Sequence, residues 1–137
     1  MMEASANTKI LLADDDAEDR LIIDDSFSEV EPGHSISYVE DGMAVLHFLQ
    51  EITDEADFPD LIILDLNMPR LNGTETLRAI KKIEHYRGIP VVIFSTSVNE
   101  IEKQECLALG AVNYVTKPTS YHGSLEIARY FFHLAMR

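Results

Sequence analysis

Short, almost unbroken apolar runs recur along this chain, and each stops at a polar residue. Lys9-Ile10-Leu11-Leu12-Ala13 ends at Asp14-Asp15, and Leu61-Ile62-Ile63-Leu64 ends at Asp65. Val91-Val92-Ile93-Phe94 ends at Ser95, and Val112-Asn113-Tyr114-Val115-Thr116 ends at Lys117. Runs this short and apolar lack the alternation of a half-exposed strand. They read as strands, and the near-continuous run ending at Asp65 reads as one covered on both faces, which is the habit of parallel sheets. Parallel neighbours need a crossover between them, normally a helix.

Helical periodicity lies between the runs. Leu21, Ile22, Ile23, Phe27 and Val30 form a first helical stripe, opened by Asp16 as its N-cap and stopped by Pro32-Gly33. Ile36-Ser37-Tyr38-Val39 is a further short strand, closed by Asp41-Gly42. Val45, Leu46, Phe48, Leu49 and Ile52 repeat at helical spacing. An acidic loop, 54–59, leads to the Asp65 strand. Met68-Pro69 and Asn72-Gly73 mark a loop, and Leu77, Ile80 and Ile83 belong to the helix after it. Gly88-Ile89-Pro90 opens the next strand. Asn99 with Glu102 is a capping pair, Gly110 a helix C-terminus, and a last helix covers 123–136. Alternating strands and helices give an α/β fold, a doubly wound sandwich of a parallel sheet with helices on both faces. In such a sheet the ligand crevice lies at the carboxyl ends of the strands, where the polar residues above converge.

The chain has 137 residues, enough for one domain, which we expect over 9–137 with no output domain and with 1–8 frayed. Its formal net charge of -13 repels phosphate backbones, so nucleic acid and anionic membranes are not expected partners. The single cysteine, Cys106, cannot form an internal disulfide and reads as a buried apolar residue in a helix. No apolar run approaches the ~20 residues of a membrane span, and the N-terminus lacks an apolar signal core. The expected location is cytoplasmic.

Neighbouring carboxylates at a strand end repel one another unless a cation neutralises them. Asp14, Asp15 and Asp65 are hard oxygen donors suited to Mg²⁺, and the backbone near Asn67 can add a carbonyl. A carboxylate beside such an ion can act as nucleophile toward a phosphoryl group. The ammonium of Lys117 and the hydroxyl of Ser95 are suitable groups to compensate the phosphate oxygens.

These residues, in this order and spacing, resemble the receiver domain of two-component response regulators along nearly the whole chain. The matching pieces are Asp14-Asp15, Asp65-Leu66-Asn67-Met68-Pro69 with Asn72-Gly73, Ser95-Thr96 and Lys117-Pro118. The resemblance implies a flavodoxin-like (βα)5 fold with strand order 2-1-3-4-5. It implies Asp65 as phosphoacceptor, served by a sensor histidine kinase or a histidine phosphotransfer protein. It implies Mg²⁺, or Mn²⁺ in its place, held by Asp14, Asp15, Asp65 and the Asn67 carbonyl. Lys117 pairs with the phosphoryl group, Ser95 is the switch hydroxyl and Tyr114 the aromatic that moves with it. Pro118 is expected after a cis bond. Ser95 and Thr96 depart mildly from the commoner Thr and Ala, which bears on switch kinetics. The Ser95-Thr96-Ser97 run and the acidic loop are similar to stand-alone receivers that partner phytochrome-type or other sensor kinases.

Other readings compete. Asp15 can serve a helix N-terminus, and Tyr114 can be a plain strand aromatic. A Mg²⁺-dependent phosphatase needs an acid-base carboxylate two residues after the nucleophile, where Asn67 stands. A flavodoxin-type cofactor binder needs a phosphate-cradling loop after the first strand, where Asp14-Asp15-Asp16 repels phosphate. His34, His47, His85, His122 and His133 show no metal-ligand spacing and read as surface or packing residues. The last helix is apolar nearly all round, so we expect an exposed apolar patch and a partner surface there. The resemblance to receivers implies the face of helix four, strand five and helix five, where we expect a homodimer. The output protein has no sequence signature.

Overall fold

The structure, a computed structural model, describes residues 8–136. Five strands alternate with five helices: β1 (Lys9–Ala13), α1 (Ala17–Val30), β2 (Ser35–Val39), α2 (Gly42–Gln50), β3 (Leu61–Leu64), α3 (Gly73–Lys82), β4 (Val91–Ser95), α4 (Glu100–Leu109), β5 (Asn113–Thr116) and α5 (Tyr121–Met136). Every strand pair is parallel, in the order β2-β1-β3-β4-β5. This is the expected doubly wound flavodoxin-like topology. Of the expected frayed stretch 1–8, residues 1–7 lie outside the described residues, and Thr8 is buried.

The central strand β3 shows why the apolar runs are continuous. Ile62 and Leu64 point to one face, against Val45 and Leu49 of α2, Leu77 and Ile80 of α3 and Cys106 of α4. Leu61 and Ile63 point to the other, against Ile23 and Phe27 of α1 and Ala128, Phe131 and Phe132 of α5. Full burial of each such side chain stabilises the fold by about 1.5–3 kcal/mol. A strand with helices on both sides therefore has no position left for a polar residue until it ends.

The helix starts follow capping chemistry. Asp16 accepts from the amides of Glu18 and Asp19, and Asn99 accepts from Glu102 N at 3.0 Å. Asn72 and Glu75 form a reciprocal capping box at the start of α3. Asp41 closes β2 in the sequence, but its carboxylate also caps α2 by accepting from Ala44 N at 2.8 Å. Gly110 ends α4 with φ +112°, as expected of a left-handed helix terminus.

Three expectations are corrected. Leu21 and Ile22 do not face the core; they are 63% and 54% exposed, while Ile23 and Phe27 are buried. Successive helical residues are about 100° apart, so three adjacent apolar side chains cannot share one face. The apolar patch expected on α5 is largely consumed within the fold, because Phe131 and Phe132 pack on Phe94 and Phe27 at centroid distances of 5.2 and 5.1 Å. On α5 the large apolar side chains left exposed are Tyr121 and Met136. Finally, no peptide bond among the described residues is cis, so the bond before Pro118 is trans, the form that X–Pro bonds favour.

Candidate functional site

The carboxyl edge of the sheet brings the predicted residues together. Asp14 leaves β1 buried, with its amide donating to Val39 O at 3.0 Å. Its Oδ1 accepts from Asp16 N at 2.9 Å, which turns the chain into α1. Asp15 is exposed beside it. Asp65 leaves β3 one strand over, buried, with its amide donating to Ala13 O at 3.0 Å. Carboxylate oxygens of Asp14, Asp15 and Asp65 lie within 4.8 Å of one another.

Burial pushes the Asp65 carboxyl above the usual carboxylate range, and the neighbouring Asp14 charge adds to the effect. The Lys117 ammonium and the amides of Asn67 and Leu66 pull the other way without cancelling it. Three carboxylates share one neighbouring ammonium, so the cluster is only partly compensated. An all-oxygen donor set with a partly unneutralised charge suits a hard divalent cation, so the residues present fit Mg²⁺ or Mn²⁺.

The backbone around Asp65 is close-packed. A Cβ at Gly73 would lie 2.3 Å from the carbonyl oxygen of Asp65, so α3 can begin this near only with glycine there. Gly73 N donates to Leu66 O at 3.0 Å, tying the helix start to the loop. Asn67 is exposed and Met68 buried in the loop that follows Asp65.

Lys117 reaches in from the end of β5. Its Nζ donates to Asp14 Oδ2 at 2.7 Å and to Asp19 Oδ2 at 2.8 Å, and it stands 3.5 Å from Asp65 Oδ2. Burial alone would lower its pKa, but the bonds to Asp14 and Asp19 and the charge of Asp65 raise it overall. The ammonium therefore stays charged across the physiological range.

Ser95 and Tyr114 meet at one residue. Ser95 is fully buried at the end of β4, and its Oγ accepts from Ser97 N at 3.2 Å. Tyr114 is buried on β5, with its hydroxyl donating to Ser97 O at 2.9 Å. Ser97 Oγ in turn donates to Glu102 Oε1 at 3.0 Å, on α4. The loop between β4 and α4 is thus held by both residues through Ser97. Thr96 points outward and is exposed.

Sequence reasoning did not single out Asp19, Arg20 or the pair Asp41–Arg70, and named Ser97 only as part of the Ser95-Thr96-Ser97 run. Asp19 falls at the third position of α1, so a capped helix start at Asp16 was the available signal. Arg20 donates to Asp14 O at 2.5 Å, a contact that only the folded turn creates.

A sequence profile described as the response regulator receiver domain matches residues 10–127. The chain belongs to this family. Among receiver relatives it is 32% identical over 117 residues to response regulator Rcp1 of Synechocystis sp., spanning 84% of this chain and 80% of that protein. It is 36% identical over 122 residues to a protein-glutamate methylesterase/protein-glutamine glutaminase of Trichodesmium erythraeum, spanning 88% of this chain but 32% of that protein. The match thus covers about a third of that relative, and the receiver family itself is a signalling domain. The phosphorylated cyanobacterial phytochrome response regulator RcpA superposes with a TM-score of 0.80 at 32% identity, covering 90% of each chain. A Mn²⁺-bound form of Rcp1 superposes with a TM-score of 0.78 at 29% identity, over 90% of this chain and 91% of that one. No helix among the described residues is long and apolar enough to cross a membrane.

Proposed function

We propose that this receiver accepts a phosphoryl group on Asp65 and converts it into a change of protein contacts. The observation that carries this is the placement of the Asp65 carboxylate, within 4.8 Å of the Asp14 and Asp15 oxygens and 3.5 Å from the Lys117 ammonium. In the transfer a carboxylate oxygen of Asp65 bonds to phosphorus while the P–N bond of a donor phosphohistidine breaks. The imidazole nitrogen leaves with the electron pair and takes up a proton. The donor is a sensor histidine kinase or a histidine phosphotransfer protein. The likeness to phytochrome response regulators supports a phytochrome-type kinase as the source.

Asp14, Asp15, Asp65 and the Asn67 carbonyl would hold Mg²⁺, with Mn²⁺ as substitute. Bound there, the cation supplies positive charge against the phosphoryl oxygens. Lys117 donates to one of these oxygens, and Ser95 Oγ turns from the Ser97 amide to another. Tyr114 then follows into the space beside β4, releasing the Ser97 carbonyl. The change reaches α4 through Ser97 and Glu102. We place the output, in the cytoplasm, at the face of α4, β5 and α5, as homodimerisation, binding of an output protein or onward relay. Val98 and Ile101 support that placement, being 76% and 81% exposed where α4 begins.

Intact-protein mass after incubation with acetyl phosphate, with and without Mg²⁺, tests the reading. The expected result is one Mg²⁺-dependent phosphoryl adduct in the parent and none in Asp65→Asn. An adduct retained in Asp65→Asn would overturn the assignment.

A further inference from the structure

Lys117 is shared, and one of its partners has no place in the phosphoacceptor site proper. An ammonium has three donors and no acceptor. One goes to Asp14 Oδ2 at 2.7 Å and one to Asp19 Oδ2 at 2.8 Å, while Asp65 is left at 3.5 Å, beyond a good hydrogen bond. Asp14 and Asp65 are held by their strands, but Asp19 projects from the first turn of α1 and its side chain is 36% exposed. The lysine stem runs beside Phe94, with Nζ 5.8 Å from the ring centroid. A small cavity of about 60 Å³ lies along this side, lined by Asp19, Ile22, Phe94, Lys117, Pro118 and Ser124 among others. The ammonium thus has both a second anchor on the α1 side and open space beside it.

We infer that Asp19 is a positioning residue that competes with the phosphoryl group for Lys117 and so sets how strongly the phosphorylated form is favoured. The inference rests on Asp65 as phosphoacceptor. When Asp65 carries a phosphoryl group, its oxygens compete with Asp19 for the Lys117 ammonium, and drawing the ammonium toward Asp65 stretches its bond to Asp19. That competition favours the unphosphorylated form, and a ligand or modification shifts a two-state equilibrium only through such differential contacts. The Asp19 end of this pair is 36% exposed, so water screens it and its energy is modest, which suits a residue that tunes the balance without abolishing it.

Beryllium fluoride is the probe, as a tetrahedral stand-in for the phosphoryl group, titrated by calorimetry in saturating Mg²⁺. Asp19→Asn keeps the shape and removes the charge; it is expected to tighten beryllium fluoride binding by about three- to five-fold. Mg²⁺ affinity, measured alone on the same variant, is expected to stay within about two-fold, since Asp19 is screened from the cluster by the ammonium. Asp19→Glu, which restores the charge, is expected to return the affinity toward that of the parent. Unchanged or weaker beryllium fluoride binding in Asp19→Asn overturns the inference, and so does an equal gain in Asp19→Glu. If the parent binds no beryllium fluoride, or Asp65→Asn binds it as well as the parent, the phosphoacceptor reading fails and carries this inference down with it.

Discussion

Arg70 reaches from the loop after β3 to the buried carboxylate of Asp41 at the start of α2, and it does so from a left-handed backbone with φ +66°. Among the described residues it is the one non-glycine with positive φ. A residue other than glycine in that region costs roughly 1–2 kcal/mol. The ion pair, together with the bond from Gly42 N to Leu71 O at 3.1 Å, holds the loop that follows Asp65 against α2. The Asp41 carboxyl is held below its usual range despite its burial, by the Ala44 amide and the Arg70 guanidinium.

The pair separates backbone strain from charge. Arg70→Ala loses the ion pair and keeps the strain, and is expected to cost about 1–2 kcal/mol. Arg70→Gly loses the pair but relieves the strain, and is expected to lie within about 1 kcal/mol of the parent. Asp41→Ala also removes the α2 cap and is expected to cost about 2–3 kcal/mol, more than Asp41→Asn. Urea unfolding of the four variants checks the order. Arg70→Gly no more stable than Arg70→Ala would mean that the left-handed backbone stores no strain.

Asp65 gives a pH-dependent prediction. Its folded pKa is raised above 3.8, so the native state binds the proton more tightly than the unfolded chain. Its ionisation therefore lowers stability as pH rises through the folded value, and costs nothing once pH falls below 3.8. Asp65→Asn is expected to stabilise the metal-free protein at pH 7, because the buried carboxylate is then no longer ionised. The gain is expected to shrink as pH drops toward 4. Thermal unfolding in chelator at several pH values measures it; a gain independent of pH would place its origin elsewhere. Excess Mg²⁺ is expected to stabilise the parent more than the variant.

Tyr114→Phe removes the hydroxyl that donates to Ser97 O at 2.9 Å. The expected cost is about 1 kcal/mol, with Asp65 chemistry retained. Hydrogen exchange across 96–102 is expected to rise in the unphosphorylated variant, because the loop then loses its tie to β5. Exchange unchanged there would show that Tyr114 does not restrain the loop.

Gly73→Ala places a methyl group where 2.3 Å separates it from the Asp65 carbonyl oxygen. Backbone must move, so a loss of about 2–4 kcal/mol is expected, with weaker Mn²⁺ binding by paramagnetic relaxation. Full metal affinity in a folded Gly73→Ala would show that the start of α3 does not position Asp65.

Much of this was legible in sequence because local chemistry and the fold agreed. The runs ending at Asp14, Asp65 and Ser95 are buried strands, Asp16 and Asn99 cap the helices assigned to them, and the strand-end polar residues converge. What sequence did not yield depends on direction and distance. Leu21-Ile22-Ile23 spreads around α1, and only packing decides which of the three turns inward. The apolar girth of α5 is used by α1 as well as by the sheet, a demand set by Phe27 on another helix. Arg70 and Asp41 are 29 residues apart, and no periodicity links them. Asp19 looks like any acidic residue in a first helical turn until Lys117 is seen beside it.

Cys106 sits fully buried on α4 beside Thr74 of α3, with its thiol pushed up by burial. A thiol in that state is inert while the two helices stay together. Since it is the chain's single cysteine, the rate at which a thiol-reactive dye attaches to the native protein counts the moments when α4 lifts away from its neighbour. The molecule thus carries its own stopwatch for the helix that begins just after Ser97, with no label engineered into it.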